Sequence, residues 1–158
     1  MKAILILILL IPALTFGQSI SRDVTDEFSG NRIIQTESIR IDHEGFGGIT
    51  SISFVYHEGD VVMLIEIASR DSWQLTRAKS IDTIIDERRE SFDILRLNSK
   101  ASRGVVYESY IAYLDMDWLL IISEAGDVRF RANRNVFTLN KKVKQSAKLL
   151  YDRVLTIN

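Results

Sequence analysis

The chain has no cysteine, one proline and two histidines among its 158 residues. Missing thiols exclude a disulfide framework, a thiolate metal centre and a thioether lipid anchor. Burial alone must hold the fold together, and a chain of this length can build a sufficient core. No His-Glu-x-x-His helix, Gly-x-Ser-x-Gly elbow or Ser-x-x-Lys pair occurs, so the motif signals for metal-dependent or serine hydrolysis are absent. With a formal net charge of −1, a dedicated nucleic-acid binder is not expected. No apolar run reaches the roughly 20 residues that a spanning helix needs.

The longest apolar run lies at the N-terminus. Met1-Lys2 gives a short positive start, Ala3 to Ile11 is unbroken apolar sequence, and Pro12 ends it. Thr15-Phe16-Gly17 puts small residues at the −3 and −1 positions of a cut before Gln18. These are the parts of a secretory signal peptide. The expected organisation is therefore a signal peptide over 1–17, a polar, partly ordered leader over 18–30, and one domain over 31–158. The mature protein is expected to be exported, periplasmic or secreted, without an integral membrane segment.

Within the domain, residues 31–41 read as an edge strand with Ile33, Ile39 and Ile41 on one face. The loop 42–48 carries Gly45, Gly47 and Gly48. It reads as a turn, because no Lys-Ser or Lys-Thr and no helix follow to make a phosphate cradle. Ile49–Tyr56 and Val61–Ala68 form the clearest hairpin, closed by His57-Glu58-Gly59-Asp60. Val61 to Ile67 is almost continuously apolar, which predicts a central strand covered on both faces. Shorter strands are expected at 72–77, 81–86 and 92–97, with a solvated turn over 86–90 and a polar loop over 98–104. Val105 to Leu114 reads as the longest strand, with Val105, Tyr107, Ile111 and Tyr113 sharing a face. Residues 115–125 favour a short helix, N-capped by Asp115 or Asp117 and stopped by Gly126.

The chain closes on a strand pair, Asp127–Ala132 and Val136–Leu139, followed by a helix from Asn140 to Leu155. Asn140 is placed to N-cap it. Val143, Ala147, Leu150, Tyr151 and Val154 repeat at helical spacing and predict one buried stripe. The sequence thus predicts an α+β fold: a mainly antiparallel sheet of seven to nine strands, sandwich or partial barrel, with a C-terminal amphipathic helix.

Candidate chemistry is sparse. His43 and His57 flank a strand whose ends lie roughly 25 Å apart at about 3.3 Å per residue, so they are not expected to share a metal ion. Glu66 and Glu108 sit in strands and would serve a hydrolase only if the fold paired them across a cleft. Neither a catalytic residue nor a cofactor site is assigned. Tyr107, Tyr110 and Tyr113 are expected to pack in the core with hydroxyls at its rim. The clearest departure from randomness is a run of cations without an acid between Val128 and Tyr151. Arg129, Arg131, Arg134, Lys141, Lys142, Lys144 and Lys148 are candidates for contact with an anionic envelope component or an acidic protein partner. A solvated helix face and outward strand face, balanced by acids elsewhere, is the alternative.

Asp26-Glu27-Phe28-Ser29-Gly30, followed by a strand ending in Glu37-Ser38, resembles the opening of small exported bacterial proteins of unknown function. In these a D-x-F-[ST]-G segment precedes a β-rich body. The C-terminal half is similar too: a tyrosine-bearing strand (110–114), a short helix (115–125), an x-V-R-F-R strand (127–131), a V-F-T-L return (136–139) and a last helix. The resemblance implies export and an α+β order of elements, and brings no activity or functional residue with it. Three functions follow for comparison: a non-enzymatic binding module, a carrier enclosing an apolar ligand near Phe54, Tyr56, Met63 and Ile65, and a carboxylate-dependent hydrolase.

Overall fold

The structure, a computed structural model, describes residues 19–25, 27, 30–41, 48–70, 78–132 and 135–157. The elements in order are β1 (Ile20–Thr25), β2 (Arg32–Thr36), β3 (Ile39–Ile41), β4 (Gly48–His57), β5 (Asp60–Arg70), β6 (Ser80–Ile85), β7 (Arg88–Ser102), β8 (Val105–Leu114), α1 (Met116–Glu124), β9 (Val128–Ala132), β10 (Asn135–Thr138) and α2 (Lys141–Leu155). Nine strands pair side by side in the order β1-β2-β4-β5-β8-β7-β6-β9-β10, and β3 pairs with β4 off that path. All pairings are antiparallel. The sheet curls into a half-barrel with α1 and α2, so the α+β class and mainly antiparallel sheet are as expected. The residues read as a signal peptide (1–17), loop residues 42–47 including His43, and the strand read at 72–77 lie outside the described residues. No helix among the described residues is long and apolar enough to cross a membrane.

Turn chemistry sets the central registers. Glu58-Gly59 joins the partners His57 and Asp60, and Arg103-Gly104 joins Ser102 and Val105. Both residues of each pair have positive φ, 54° and 93° in the first and 51° and 75° in the second. This is the type I′ hairpin signature, whose twist matches the flanking strands. The expected four-residue loop at 57–60 is therefore a two-residue turn, because the strands pair one step further out. Asp86-Glu87 makes a third such turn without glycine, at φ 43° and 76°. Asp86 is held there by its carboxylate, which accepts from the backbone N–H of Gly126 at 3.1 Å and Asp127 at 2.9 Å.

Cross-strand registers then divide the sheet into two faces. The inner one carries Ile52, Phe54, Val61, Met63, Ile65, Ile67, Tyr110, Ala112 and Leu114, all buried in one core. On the outer face Val62, Leu64 and Ala68 are half-buried and Glu66 is exposed. Strand β5 is central as expected, but among the described residues helices cover only one of its faces. The sequence pattern misled because a nearly unbroken apolar run does not say which face is left bare. The face of β8 also differs from expectation. Tyr107 and Tyr113 are 51% and 53% exposed, whereas Tyr110 is buried.

The longest strand is β7, at 15 residues. It absorbs 88–90 of the stretch read as a turn over 86–90, leaving Asp86-Glu87 as the turn, and most of the polar stretch read as a loop. Its first half pairs with β6 and its second with β8, and the register shifts between Arg96 and Asn98. Leu97 is the extra residue of that bulge and stands 54% exposed. The segment read as one edge strand over 31–41 is two strands. At the break, the buried Thr36 hydroxyl accepts from the Phe54 N–H at 2.9 Å and replaces the missing ladder bond. The outer edge is β1, inside the segment read as a leader.

Helix α2 buries Val143, Ser146, Ala147, Leu150 and Val154, the expected stripe with Ser146 added and Tyr151 half-buried. Asn140 caps it as expected, Oδ1 accepting from the Val143 N–H at 3.0 Å. The helix packs on α1, β4 and β2. The short helix expected at 115–125 is α1, which buries Leu119 and Ile122 and sets Trp118 edge-on to Phe92 at 5.0 Å. Asp115 holds its N-cap position without a side-chain bond.

Candidate functional site

The described cations of the C-terminal run do not form one patch. Phe130 and Val128 point into the core, so alternation turns Arg129 and Arg131 to the outer face of the sheet. The α2 lysines lie across the core from them, on the solvent side of a helix packed against the inner face. Lys144 donates to the carbonyls of Ala125 and Gly126, each at 3.0 Å, and so ties α2 to the α1–β9 link. Lys148 pairs with Asp152 one turn on and lies 5.6 Å from the Tyr151 ring centroid. Lys141 and Lys142 are exposed on the first turn. Arg134 is outside the described residues.

Around Arg129 and Arg131 the outer face forms a concavity of about 600 Å³. Its layout follows from two cross-strand rows. In one, Ile84 sits between Arg89 of β7 and Arg129 of β9; in the other, Asp82 sits between Ser91 and Arg131, with Val136 beyond. Three guanidinium groups thus surround a floor that includes Ile84 and Val136. Two are ion-paired: Arg131 donates to Asp82 at 2.6 Å, and Arg129 Nε reaches Asp127 at 2.7 Å. At such exposure these pairs add little stability, about 0–1 kcal/mol. Their consequence is orientation, since each contact engages part of a fork that has five N–H donors. Arg89 has no ion pair among the described residues. Sequence reasoning missed it because it fell in a presumed turn. Alternation back from the buried Phe92 turns Ser91 and Arg89 to the outer face, but only the extent of β7 shows that the strand runs through them.

The other candidates separate. Ile67 faces Glu108 across the ladder, and Glu66 faces Ser109. Glu66 is exposed and Glu108 is 2% exposed, so the two carboxylates lie on opposite faces of the sheet and do not assemble as an acid–base pair. Tyr110 donates to Glu108 at 2.8 Å. Burial first, and then this bond, push the Tyr110 hydroxyl above its usual pKa. Among the described residues no cluster of three or more His, Asp or Glu side chains could hold a metal ion. Phe54, Met63 and Ile65 belong to one core with Leu119, Ile122, Val143, Ala147 and Leu150. Side chains of both helices thus pack in the same cluster as the residues named for an enclosed apolar ligand.

Compared with known protein families, curated proteins and solved structures, the chain matches none.

Proposed function

We propose that this protein is an export-routed binding module that engages an anionic partner through the outer face of β7, β6, β9 and β10. The observation that carries this reading is the cluster of Arg89, Arg129 and Arg131 around one concavity with apolar ground between them. Planar guanidinium groups bind carboxylate, sulfate or phosphate oxygens through paired N–H donors. The acids that orient Arg129 and Arg131 also lower the local positive charge, so binding should be selective for geometry and sensitive to salt. Binding rather than turnover is supported by the separation of Glu66 and Glu108.

Retention on immobilised heparin, eluted with salt, tests the site. The combined Arg89→Ala and Arg129→Ala variant should elute at lower salt, with affinity down roughly fivefold or more per guanidinium removed. Reversal of Lys141 and Lys142 to glutamate should leave elution nearly unchanged. The opposite pattern would move the anion site to α2 and refute this one.

A further inference from the structure

The outer face of the central strands carries a second, unrelated arrangement. Arg40, Ser51, Glu66, Ser109 and Asn98 are successive cross-strand partners over β3, β4, β5, β8 and β7. Strands lie about 4.8 Å apart, so this polar row spans roughly 19 Å. On one side runs a row of Ile49, Ala68, Tyr107 and Lys100; on the other, Leu64, Ile111 and Leu95, with Val55, Val62 and Tyr113 beyond. Two concavities of about 300 and 460 Å³ open here and share Ile49, Ala68 and Tyr107 as their common wall. Ser51, Glu66, Asn98 and Ser109 all line the smaller one. Ser38, from the β2–β3 break, donates to Glu66 Oε2 at 3.4 Å.

A protein-binding patch concentrates apolar side chains at its centre and polar ones at its rim. This face has the reverse order: hydrogen-bonding groups along the middle, exposed tyrosine and aliphatic groups on both flanks. The ligand that matches it has hydroxyls along its edge and C–H surface beside them. Serine hydroxyls and the asparagine amide both donate and accept, and the carboxylate accepts, which suits adjacent hydroxyl pairs. The negative face of a tyrosine ring suits C–H groups with a partial positive charge. We propose that this groove binds an uncharged, hydroxyl-rich glycan chain, with Glu66 as the central acceptor and Tyr107 as the stacking platform.

Electrophoresis of the intact domain through gels containing dextran, mannan, soluble starch or hydroxyethylcellulose tests this. Retardation is expected in at least one of them. Tyr107→Ala and Glu66→Gln, both at exposed positions that leave the core untouched, should each weaken that retardation about tenfold in dissociation constant. Arg89→Ala should leave it unchanged, which separates this groove from the arginine site. Migration unaffected by all four polysaccharides, or equal retardation of both variants and the parent, would overturn the proposal. So would sedimentation as a dimer that Tyr107→Ala converts to a monomer, because the face would then be an interface between copies.

Discussion

Replacement of Leu150 by alanine is expected to destabilise the protein by about 2–5 kcal/mol, a large share of a single domain's stability. Leu150 is 0% exposed and lies in the same core as Phe54, Leu119 and Ile122, so truncation leaves a cavity that helices and sheet cannot both close. Urea unfolding should show a lower midpoint with an unchanged slope. Leu155, five residues on and 56% exposed, provides the control, and its alanine variant should stay within about 0.5 kcal/mol of the parent. An equal, small effect at both positions would mean that α2 does not complete the core.

The next largest effect is expected at Asp23. Its carboxylate accepts from Arg32 Nε at 2.7 Å and Nη2 at 2.8 Å, and from Arg153 Nε at 2.9 Å and Nη2 at 2.8 Å. One acid on the edge strand β1 therefore binds both β2 and the end of α2. The Arg32 bonds, opposed by partial burial and reinforced by Arg153, hold its pKa at about 2, below the ordinary 3.8. A depressed carboxylate contributes stability that is complete above the ordinary value and lost as pH falls toward the folded one. Allowing for the solvent that reaches the pair, Asp23→Asn should cost about 1–2 kcal/mol at neutral pH. The gap between parent and variant should narrow progressively from about pH 5 and be mostly gone by about pH 2. Urea midpoints across that range check it, and a gap as large at about pH 2 as at neutral pH would rule out the charge as its source.

These two residues also show what the sequence could reveal. The α2 stripe was legible because it repeats at helical spacing for about three turns, and Asn140 is a residue type that favours the N-cap. β1 was not, because Ser21, Arg22, Asp23 and Thr25 give no apolar alternation. Its partners Arg32 and Arg153 are 9 and 130 residues away in the chain. The β4–β5 hairpin was legible from its apolar content and Gly59. Which face of β5 and β8 would be covered was not, since both faces of each strand carry large apolar residues and only the placement of two distant helices decides between them. Tyr107 and Tyr113 were misplaced for that reason. The site followed the same rule: Arg129 and Arg131 alternate visibly, whereas Arg89 joins them only through the β6 register. The separation of these arginines from the α2 lysines depends on the core lying between them.

That one-sided covering is the central claim, since both proposed sites need a bare outer face. Hydroxyl-radical footprinting with peptide mass mapping of β8 measures it directly. Tyr107 and Tyr113 should be modified at rates near those of the unfolded chain, while Tyr110, three residues from each, is protected until the protein unfolds. Protection of Tyr107 equal to that of Tyr110, or rapid modification of Tyr110 in the folded protein, would contradict the assignment of faces.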